Sequence, residues 1–299
     1  MPLNEREAII NELNPPFIVS EPVEQTSPLV FCSPHSGRVY PRILLDKTRL
    51  DPLSLRKSED CFVDELFECA PIAGSPLITA RFPRAYLDVN REPFELDPEL
   101  FDEALPPYAN AKTMRVIGGL GTIPRVVAEA EEIYSGPLSI AVAMERIERL
   151  YRPFHDALDR LLQRTRAKFG YAVLVDCHSM PSASVTFPAS VRPEFILGDR
   201  FGGSCDFRVT RAAREAINRL KYQVQLNRPY AGGFITEHYG RPSEDMHALQ
   251  VEINRGLYLN EQTLKQNRHF AEFKADITAL VFDLTISIPA ILEGRLAAE

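Results

Sequence analysis

The chain has 299 residues, 45% of them hydrophobic and 25% charged, with a net charge of -7 and an isoelectric point near 5.5. This length allows one large or two small α/β domains with a sizeable hydrophobic core. The acidic balance repels phosphate groups, and it therefore argues against a nucleic-acid partner and against an anionic membrane surface.

The sequence also bears on the cellular compartment. No apolar run approaches the roughly 20 residues that cross a bilayer, and the first ten residues, MPLNEREAII, lack the apolar core of a signal peptide. The five cysteines show no CxxC pairing. We therefore expect reduced, mostly buried thiols, no membrane partner and a cytoplasmic protein.

The chain begins with a predicted N-terminal arm over residues 1–28, which includes a short helix at 4–13. Residues 29–32 are apolar and predict the first core strand. The strand leads into the segment SPHSG, where His35 follows directly. Gly37 in this segment allows a sharp turn that brings the backbone close to a ligand.

A helix is predicted over residues 58–69, because apolar side chains recur there at helical spacing. Asp60 and Asp64 are four residues apart and would lie on a common side of this helix. Both carboxylates would lie towards its N-terminal half, where the helix dipole favours negative charge.

Two strands are predicted at residues 77–80 and 85–89, on either side of a turn that contains Arg84. The second strand leads directly into Asn90 and Arg91. Polar side chains at the end of a strand are candidates for contact with a ligand.

The middle of the chain contains a long irregular segment and a long helix. Residues 92–125 are rich in proline and glycine, and a stretch of this kind is often functional, so we expect a lid or a wall over the site. Residues 138–168 are predicted to be helical, because apolar side chains recur there at helical spacing and form a stripe. Pro153 is expected to kink or break this helix.

The central strand is predicted at residues 171–175, and Asp176, Cys177 and His178 follow it. In an open parallel α/β sheet, ligands bind just beyond the carboxyl ends of the strands. His178 would therefore point at the site. Cys177 would point to the opposite side of the strand from its neighbours and pack as a small apolar residue.

The last third of the chain alternates strands with helices, in the order strand 195–197, helix 207–220, strand 222–226, strand 248–253 and helix 262–284. Glu252 comes at the end of an apolar run, and Tyr230 lies in the loop before that strand. The alternation predicts one α/β domain over residues 1–299, with a mostly parallel or mixed central sheet and helices on both faces.

Strand ends carrying His35 and His178 suggest a metal site, because a catalytic zinc usually has three protein ligands from His, Asp and Glu. The third ligand is expected to be Asp60, with Glu59 or Asp64 as alternatives. Zinc, cobalt and manganese all suit such a site.

Glu252, which arrives from another strand end, suits the role of a general base that moves a proton from water to a leaving nitrogen. Arginine presents a planar fork that matches a carboxylate, so Arg84 and Arg91 with Asn90 suggest contacts to an acidic substrate. Arg255 is a further candidate for the same contact. Together these residues suggest hydrolysis of an amide in a small acidic molecule.

Five segments occur in one order along the chain: SPHSG, EDCFVDEL, PRAYLDVNR, VDCHSMP and LQVEINRGLY. Together they resemble the N-formylglutamate amidohydrolase family, over residues 29–258. The resemblance implies a three-layer α/β/α fold of the phosphorylase/hydrolase-like kind, similar in plan to zinc carboxypeptidases and aspartoacylase-type deacylases. It also implies hydrolysis of N-formyl-glutamate to formate and glutamate, a step in histidine breakdown.

By position, the resemblance implies that one divalent metal, most simply Zn, is held by His35, Asp60 and His178. It further implies that Glu252 is the base and that Arg84 contacts the oxyanion. Asn90 and Arg91 would bind a substrate carboxylate. Carboxypeptidase-like enzymes place an acidic ligand three residues after the first His, whereas Ser36, Gly37 and Arg38 follow His35 here. The acidic ligand must then come from residues 59–60.

Three alternatives remain open at this level. The protein could act on another N-acyl amino acid, could be a cysteine-dependent amidase that uses Cys177, or could bind acidic amino acids without catalysis. The expected partner in the first and third cases is a small acidic N-acyl amino acid, with Tyr230 and Arg255 as further contacts. The expected assembly is a monomer or a homodimer.

Overall fold

A computed structural model of the protein describes residues 4–127, 131–184 and 193–294. The chain divides into two compact units. The first unit comprises Met1–Ile18, Pro34–Glu59 and Thr79–Ala157, and the second comprises Val19–Ser33, Asp60–Ile78 and Leu158–Glu299. The expectation of a single domain over residues 1–299 stays a prediction.

A seven-stranded mixed sheet is the main β structure of the described residues. Its strands are β1 (Phe17–Ser20), β2 (Leu29–Ser33), β3 (Leu77–Ala80), β4 (Ala172–Met180), β5 (Phe195–Gly198), β6 (Val224–Leu226) and β7 (Met246–Asn254). They lie in the order β1-β3-β2-β4-β7-β5-β6. β4 is parallel to both β2 and β7, and β5 is antiparallel to β7 but parallel to β6. The predicted mixed α/β sheet with flanking helices is confirmed.

The helices vary from a single turn to more than six turns. They are α1 (Glu5–Glu12), α2 (Arg42–Lys47), α3 (Pro52–Leu55), α4 (Val63–Leu66), α5 (Met114–Ile117), α6 (Ile140–Arg146), α7 (Arg152–Phe169), α8 (Phe207–Arg219), α9 (Phe234–Tyr239) and α10 (Phe270–Leu292). A short hairpin of β8 (Leu259–Asn260) and β9 (Lys265–Gln266) precedes α10, so that helix begins later than predicted. The sequence did not predict α9.

The core of the second unit forms on one face of the sheet. Val173, Val175 and Cys177 of β4 belong to an apolar cluster that also includes residues of α8 and α10. Because successive side chains of a strand alternate between faces, Asp176 and His178 lie on the opposite face. The buried strand β4 therefore separates an apolar face from a polar one.

Helix α10 corrects one expectation from the sequence. By length and composition alone it could cross a membrane, although no apolar run of that kind was expected. One such helix is weak evidence, because a core helix passes the same test. In this protein Phe273, Ile277 and Leu284 of α10 pack into the apolar cluster of the second unit.

Two predicted elements around the site are wrong. The helix expected at 58–69 is reduced to α4, because Phe62 adopts a left-handed conformation with φ of 64° just before it. Asp60 therefore precedes the helix and does not share a helical face with Asp64. The strand expected at 85–89 is a turn, in which the amides of residues 86 and 87 donate to the Pro83 carbonyl.

Two strands are longer than predicted. β4 continues to Met180 and β7 to Asn254, because the two strands keep their parallel pairing to those residues. His178 consequently lies within its strand and not beyond its end, and Glu252 lies within its strand as predicted. Their side chains emerge from the polar face of the sheet.

The helical segment predicted at 138–168 is present from Ile140 to Phe169, with a π-helical turn at Ile147–Tyr151 between α6 and α7. Pro153 neither ends nor interrupts the helical run. The π turn lies directly before the proline, and such a turn rearranges the local backbone hydrogen bonds so that a residue without an N–H is tolerated.

Candidate active site

In the first unit, the buried carboxylate of Asp88 is the centre of a polar cluster. Its Oδ1 lies 2.7 Å from Nε2 of His35 and accepts the backbone N–H of Asn90 at 2.8 Å. Its Oδ2 accepts from Nε of Arg84 at 2.9 Å and lies 3.6 Å from Nη2 of Arg91. The structure thus brings four predicted site residues together around an aspartate that the sequence analysis gave no role.

The charge of this cluster follows from its partners. Burial alone would raise the pKa of the Asp88 carboxyl, but Arg84, Arg91 and His35 hold it well below its ordinary value. Asp88 is therefore an anion at neutral pH. A carboxylate at Nε2 fixes the orientation of the His35 ring.

Gly37 keeps the segment that carries His35 close to the same part of the first unit. A Cβ atom at Gly37 would lie 2.0 Å from the carbonyl oxygen of Phe82. Any other residue would push the two backbone segments apart. The sequence predicted that Gly37 brings the backbone close to a ligand, whereas the close approach in the structure is to the protein backbone at Phe82.

In the second unit, His178 lies between two carboxylates. Its Nδ1 is 3.1 Å from Oδ2 of Asp60, and its Nε2 is 2.9 Å from Oδ1 of Asp176. The other oxygen of Asp60 accepts from Nη2 of Arg255 at 2.8 Å. All four side chains are buried, so their charges interact with little screening by water.

Burial alone would lower the pKa of the His178 imidazole, but the charge and hydrogen bond of Asp176 and the bond to Asp60 raise it well above its ordinary value. Two buried carboxylates therefore favour positive charge between them. A proton on His178 or a divalent cation beside it would each supply that charge.

Glu252 lies on β7 directly beside His178, since the two residues are register partners in the parallel pair β4–β7. Both side chains lie on the polar face of the sheet. Nε2 of Gln250 donates to Oε1 of Glu252 at 2.9 Å, and Glu252 is 7% exposed. The carboxylate is thus oriented by a neighbour on its own strand and borders on His178.

The donor set suits a metal ion. Each of the two histidines has a carboxylate at Nε2, Asp88 for His35 and Asp176 for His178. Carboxylate–histidine pairs of this kind fix the tautomer of an imidazole and raise its basicity, and they leave Nδ1 as the nitrogen that could take a metal ion. Asp60 adds a buried oxygen donor next to Nδ1 of His178.

The two arginines predicted to bind a substrate carboxylate are both held by backbone oxygens. Arg91 donates from Nε to the Leu120 carbonyl at 2.8 Å and from Nη1 to the Asn90 carbonyl at 2.7 Å. Burial lowers the pKa of Arg91 to about 10, so it is still a cation at neutral pH. Arg255 donates from Nη2 to the Ser179 carbonyl at 3.3 Å.

Tyr230 borders a small apolar cluster of the second unit. It is partly buried and packs against Met180 of β4 and Ile196 of β5. Met180 is two residues beyond His178 on the same strand. Tyr230 is therefore near the carboxyl end of β4, in an apolar setting.

The alternative ligand Glu59 and the alternative nucleophile Cys177 lie in different surroundings from His35 and His178. In the first unit, Glu59 accepts from Arg56 at 2.9 Å and from the Tyr40 hydroxyl at 2.5 Å. Cys177 lies in the apolar cluster, and burial raises the pKa of its thiol well above the ordinary value. A neutral, buried thiol is a poor nucleophile, which argues against the cysteine-dependent amidase.

The sequence analysis missed the roles of Asp88 and Asp176. A signal for Asp176 was present, because it stands two residues before His178 and a strand places such residues on one face. No comparable signal existed for Asp88. It meets His35 from 53 residues further along the chain, across a turn that had been predicted as a strand.

Comparison with known proteins gives a consistent result. A sequence model of a family described as N-formylglutamate amidohydrolase matches residues 27–259. A protein of Pseudomonas putida named N-formylglutamate deformylase is 31% identical over 237 residues, which cover 78% of this chain and 82% of the relative. A Pseudomonas aeruginosa protein of the same name is 30% identical over 241 residues, covering 79% and 83%.

A solved structure is also similar. The crystal structure of N-formylglutamate amidohydrolase from Ralstonia eutropha JMP134 superposes with a TM-score of 0.85 at 33% sequence identity, and the match covers 94% of this chain and 99% of that one. A second structure, the gene product Atu2144 from Agrobacterium tumefaciens, has a TM-score of 0.63 at 18% identity and shares the fold.

Proposed function

The chain belongs to the N-formylglutamate amidohydrolase family, and from this premise we propose that it hydrolyses N-formyl-L-glutamate to formate and L-glutamate. The reaction breaks the amide C–N bond and forms a C–O bond with water. One observation carries the proposal: a chain of this family has, on the polar face of its sheet, a buried glutamate in register with a histidine that lies between two carboxylates.

We propose that one divalent metal is held by His35, Asp60 and His178, which are all buried and offer the donor atoms that zinc takes in hydrolases. A metal ion held there would act as a Lewis acid for the formyl carbonyl and would lower the pKa of water. The carboxylates Asp88 and Asp176 would hold the two imidazole rings in the orientation for binding. Zinc is the metal we expect.

Glu252 is the general base in this proposal. Its carboxylate takes a proton from the attacking water and delivers it to the nitrogen of the leaving glutamate. Arg84 steadies the negative charge that develops on the formyl oxygen. Arg84 suits this role because it is the most exposed of the residues that contact Asp88, with 25% of its side chain accessible.

Asn90 and Arg91 bind the carboxylates of the substrate in this proposal. Arg255 is a further candidate for the same contact. The guanidinium of Arg91 is held in one direction by two backbone carbonyls, which orients its remaining N–H donors for a charge-assisted hydrogen bond to a carboxylate. Tyr230, in its apolar setting, would border the aliphatic part of the substrate. A deacylase acting on a different N-acyl amino acid would use the same residues.

The decisive experiment measures formate release from N-formyl-L-glutamate by protein loaded in turn with Zn²⁺, Mn²⁺ and Co²⁺. We expect turnover in wild type and its loss, together with loss of bound metal, in His178→Ala. The control is His269→Ala, which removes an exposed histidine before α10. Absence of turnover with all three metals would exclude deformylase activity, and turnover of only an N-acetyl substrate would favour the alternative deacylase.

Further properties follow from the same proposal. A cytoplasmic location and a place in histidine breakdown suit a substrate that is a small acidic metabolite. Residues 92–125 would serve as a wall of the site, since several of their apolar side chains, such as Leu96, Leu100 and Ile123, are buried. Cell fractionation and light scattering would test the location and whether the protein is a monomer or a homodimer.

A further inference from the structure

The long helical run of the first unit holds the turn that carries the predicted substrate contacts. Three of its side chains donate hydrogen bonds to three backbone carbonyls of residues 86–91: Arg146 to Tyr86 at 3.0 Å, Tyr151 to Arg91 at 2.7 Å and His155 to Val89 at 2.9 Å. We call these three donors the carbonyl clamp and residues 86–91 the clamped turn. Residues 86–91 belong to neither a helix nor a strand, so their carbonyls need partners outside regular secondary structure, and the clamp supplies three of them.

The π-helical turn at Ile147–Tyr151 explains how these side chains reach one turn. In a regular α-helix five residues advance by about 500°, so Arg146 and Tyr151 would differ in direction by about 140°. A π turn accommodates one extra residue, so the five-residue spacing behaves like a spacing of four in a regular α-helix. Arg146 and Tyr151 then differ in direction by only about 40°. His155 follows at a spacing of four. The π turn therefore places the whole clamp on one side of the helix.

Arg146 is fully buried and has a counter-ion from the N-terminal arm. Its Nε lies 2.5 Å from Oε1 of Glu5, and its guanidinium carbon lies 3.8 Å from the centre of the Tyr86 ring. The Tyr86 hydroxyl donates to the same oxygen of Glu5. Glu5 belongs to α1, outside the stretch that the family model matches. These buried contacts restrict the Arg146 guanidinium, which donates to the Tyr86 carbonyl.

The clamped turn includes Asp88, Asn90 and Arg91 and begins two residues after Arg84. A shift of its backbone would move the N–H of Asn90, which donates a hydrogen bond to Asp88. It would also redirect the guanidinium of Arg91. Displacements near 1 Å are enough to weaken binding and catalysis at a preorganised site.

We propose that Arg146, Tyr151 and His155 are positioning residues, which hold the clamped turn in the conformation that binds the substrate carboxylate. The proposal rests on the proposed function for its substrate. It assigns a role to side chains that are neither proposed metal ligands nor proposed substrate contacts. Loss of one clamp bond should weaken substrate binding more than it slows the chemical step.

The test uses Tyr151→Phe, which removes one hydroxyl and keeps the aromatic ring. Tyr222→Phe is the matched control, because Tyr222 donates to Asp276 at 2.6 Å in the second unit, on elements that carry none of the predicted site residues. We expect Tyr151→Phe to raise the KM for N-formyl-L-glutamate about tenfold with kcat within about threefold, since a buried carbonyl loses its donor. Amide hydrogen exchange in residues 86–91 should become faster in Tyr151→Phe and stay unchanged in Tyr222→Phe.

A second pair of variants separates positioning from general destabilisation. His155→Leu should reproduce the effect of Tyr151→Phe, whereas His155→Gln, which retains an N–H donor, should restore a large part of the substrate affinity. Unchanged exchange in the clamped turn, or faster exchange with a KM within twofold of wild type, would overturn the proposal. If wild type does not hydrolyse N-formyl-L-glutamate, the proposed function fails, and the exchange comparison decides on the clamp by itself.

Discussion

At the scale of single residues, the charge of each side chain depends on its neighbours more than on its type. His178 favours its protonated form because Asp60 and Asp176 lie on either side of its ring. Asp88 stays ionised although it is buried, because two arginines and His35 surround it. These shifts belong to the contacts and have no counterpart in the isolated residues.

Glu252 gives the residue-scale prediction. Glu252→Gln keeps the size of the side chain but cannot accept a proton, so kcat for N-formyl-L-glutamate should fall by about 10²–10⁴-fold. Bound metal, measured by elemental analysis, should be unchanged, because Glu252 is not one of the proposed ligands. Glu237→Gln, on an exposed side chain of α9, is the control. Activity near wild type in Glu252→Gln would remove this residue from the mechanism.

At the scale of elements, predictions succeeded where periodicity was regular and failed where a turn intervened. α8 is amphipathic over its whole length and was predicted to within one residue. The segment around Asp60 has apolar residues at helical spacing, yet the left-handed Phe62 confines the helix to four residues. Local periodicity does not reveal a backbone conformation that tertiary contacts impose.

The N-terminus of α8 gives a prediction with a defined pH dependence. The Asp206 side chain caps the helix and accepts from the guanidinium of Arg208 at 2.8 Å, and this bond lowers the pKa of Asp206. The lowered pKa means that the ionised form stabilises the folded state above about pH 4 and that this stabilisation is lost as the pH falls through the folded value.

Asp206→Ala should therefore reduce the free energy of unfolding by about 1 kcal/mol at pH 7 and by less at pH 3, measured by urea titration. Asp206→Asn keeps an oxygen that can cap the helix and should cost less at pH 7. An equal loss for Asp206→Ala at both pH values would show that the charge of Asp206 does not contribute.

At the scale of the whole molecule, metal binding should be linked to folding. The proposed ligands come from segments that are far apart along the chain, so they form a site only in the folded protein. A ligand that binds only the folded state raises its stability. Titration of Zn²⁺ into chelator-treated protein should raise the melting temperature by several degrees, measured by differential scanning calorimetry. His178→Ala should show little of this increase, and an equal increase in that variant would place the metal elsewhere.

The sequence by itself determined the family, the α/β class and the identity of the candidate residues, because short motifs and apolar periodicity are local properties of the chain. It could not determine that Asp88 meets His35, that Arg255 meets Asp60, or that residues 85–89 form a turn held by a helix. Those features depend on contacts between residues 50 or more positions apart, such as His35 with Asp88 and Asp60 with Arg255. Only the tertiary structure decided them, because the energy of a buried charge depends on which partner the fold places next to it.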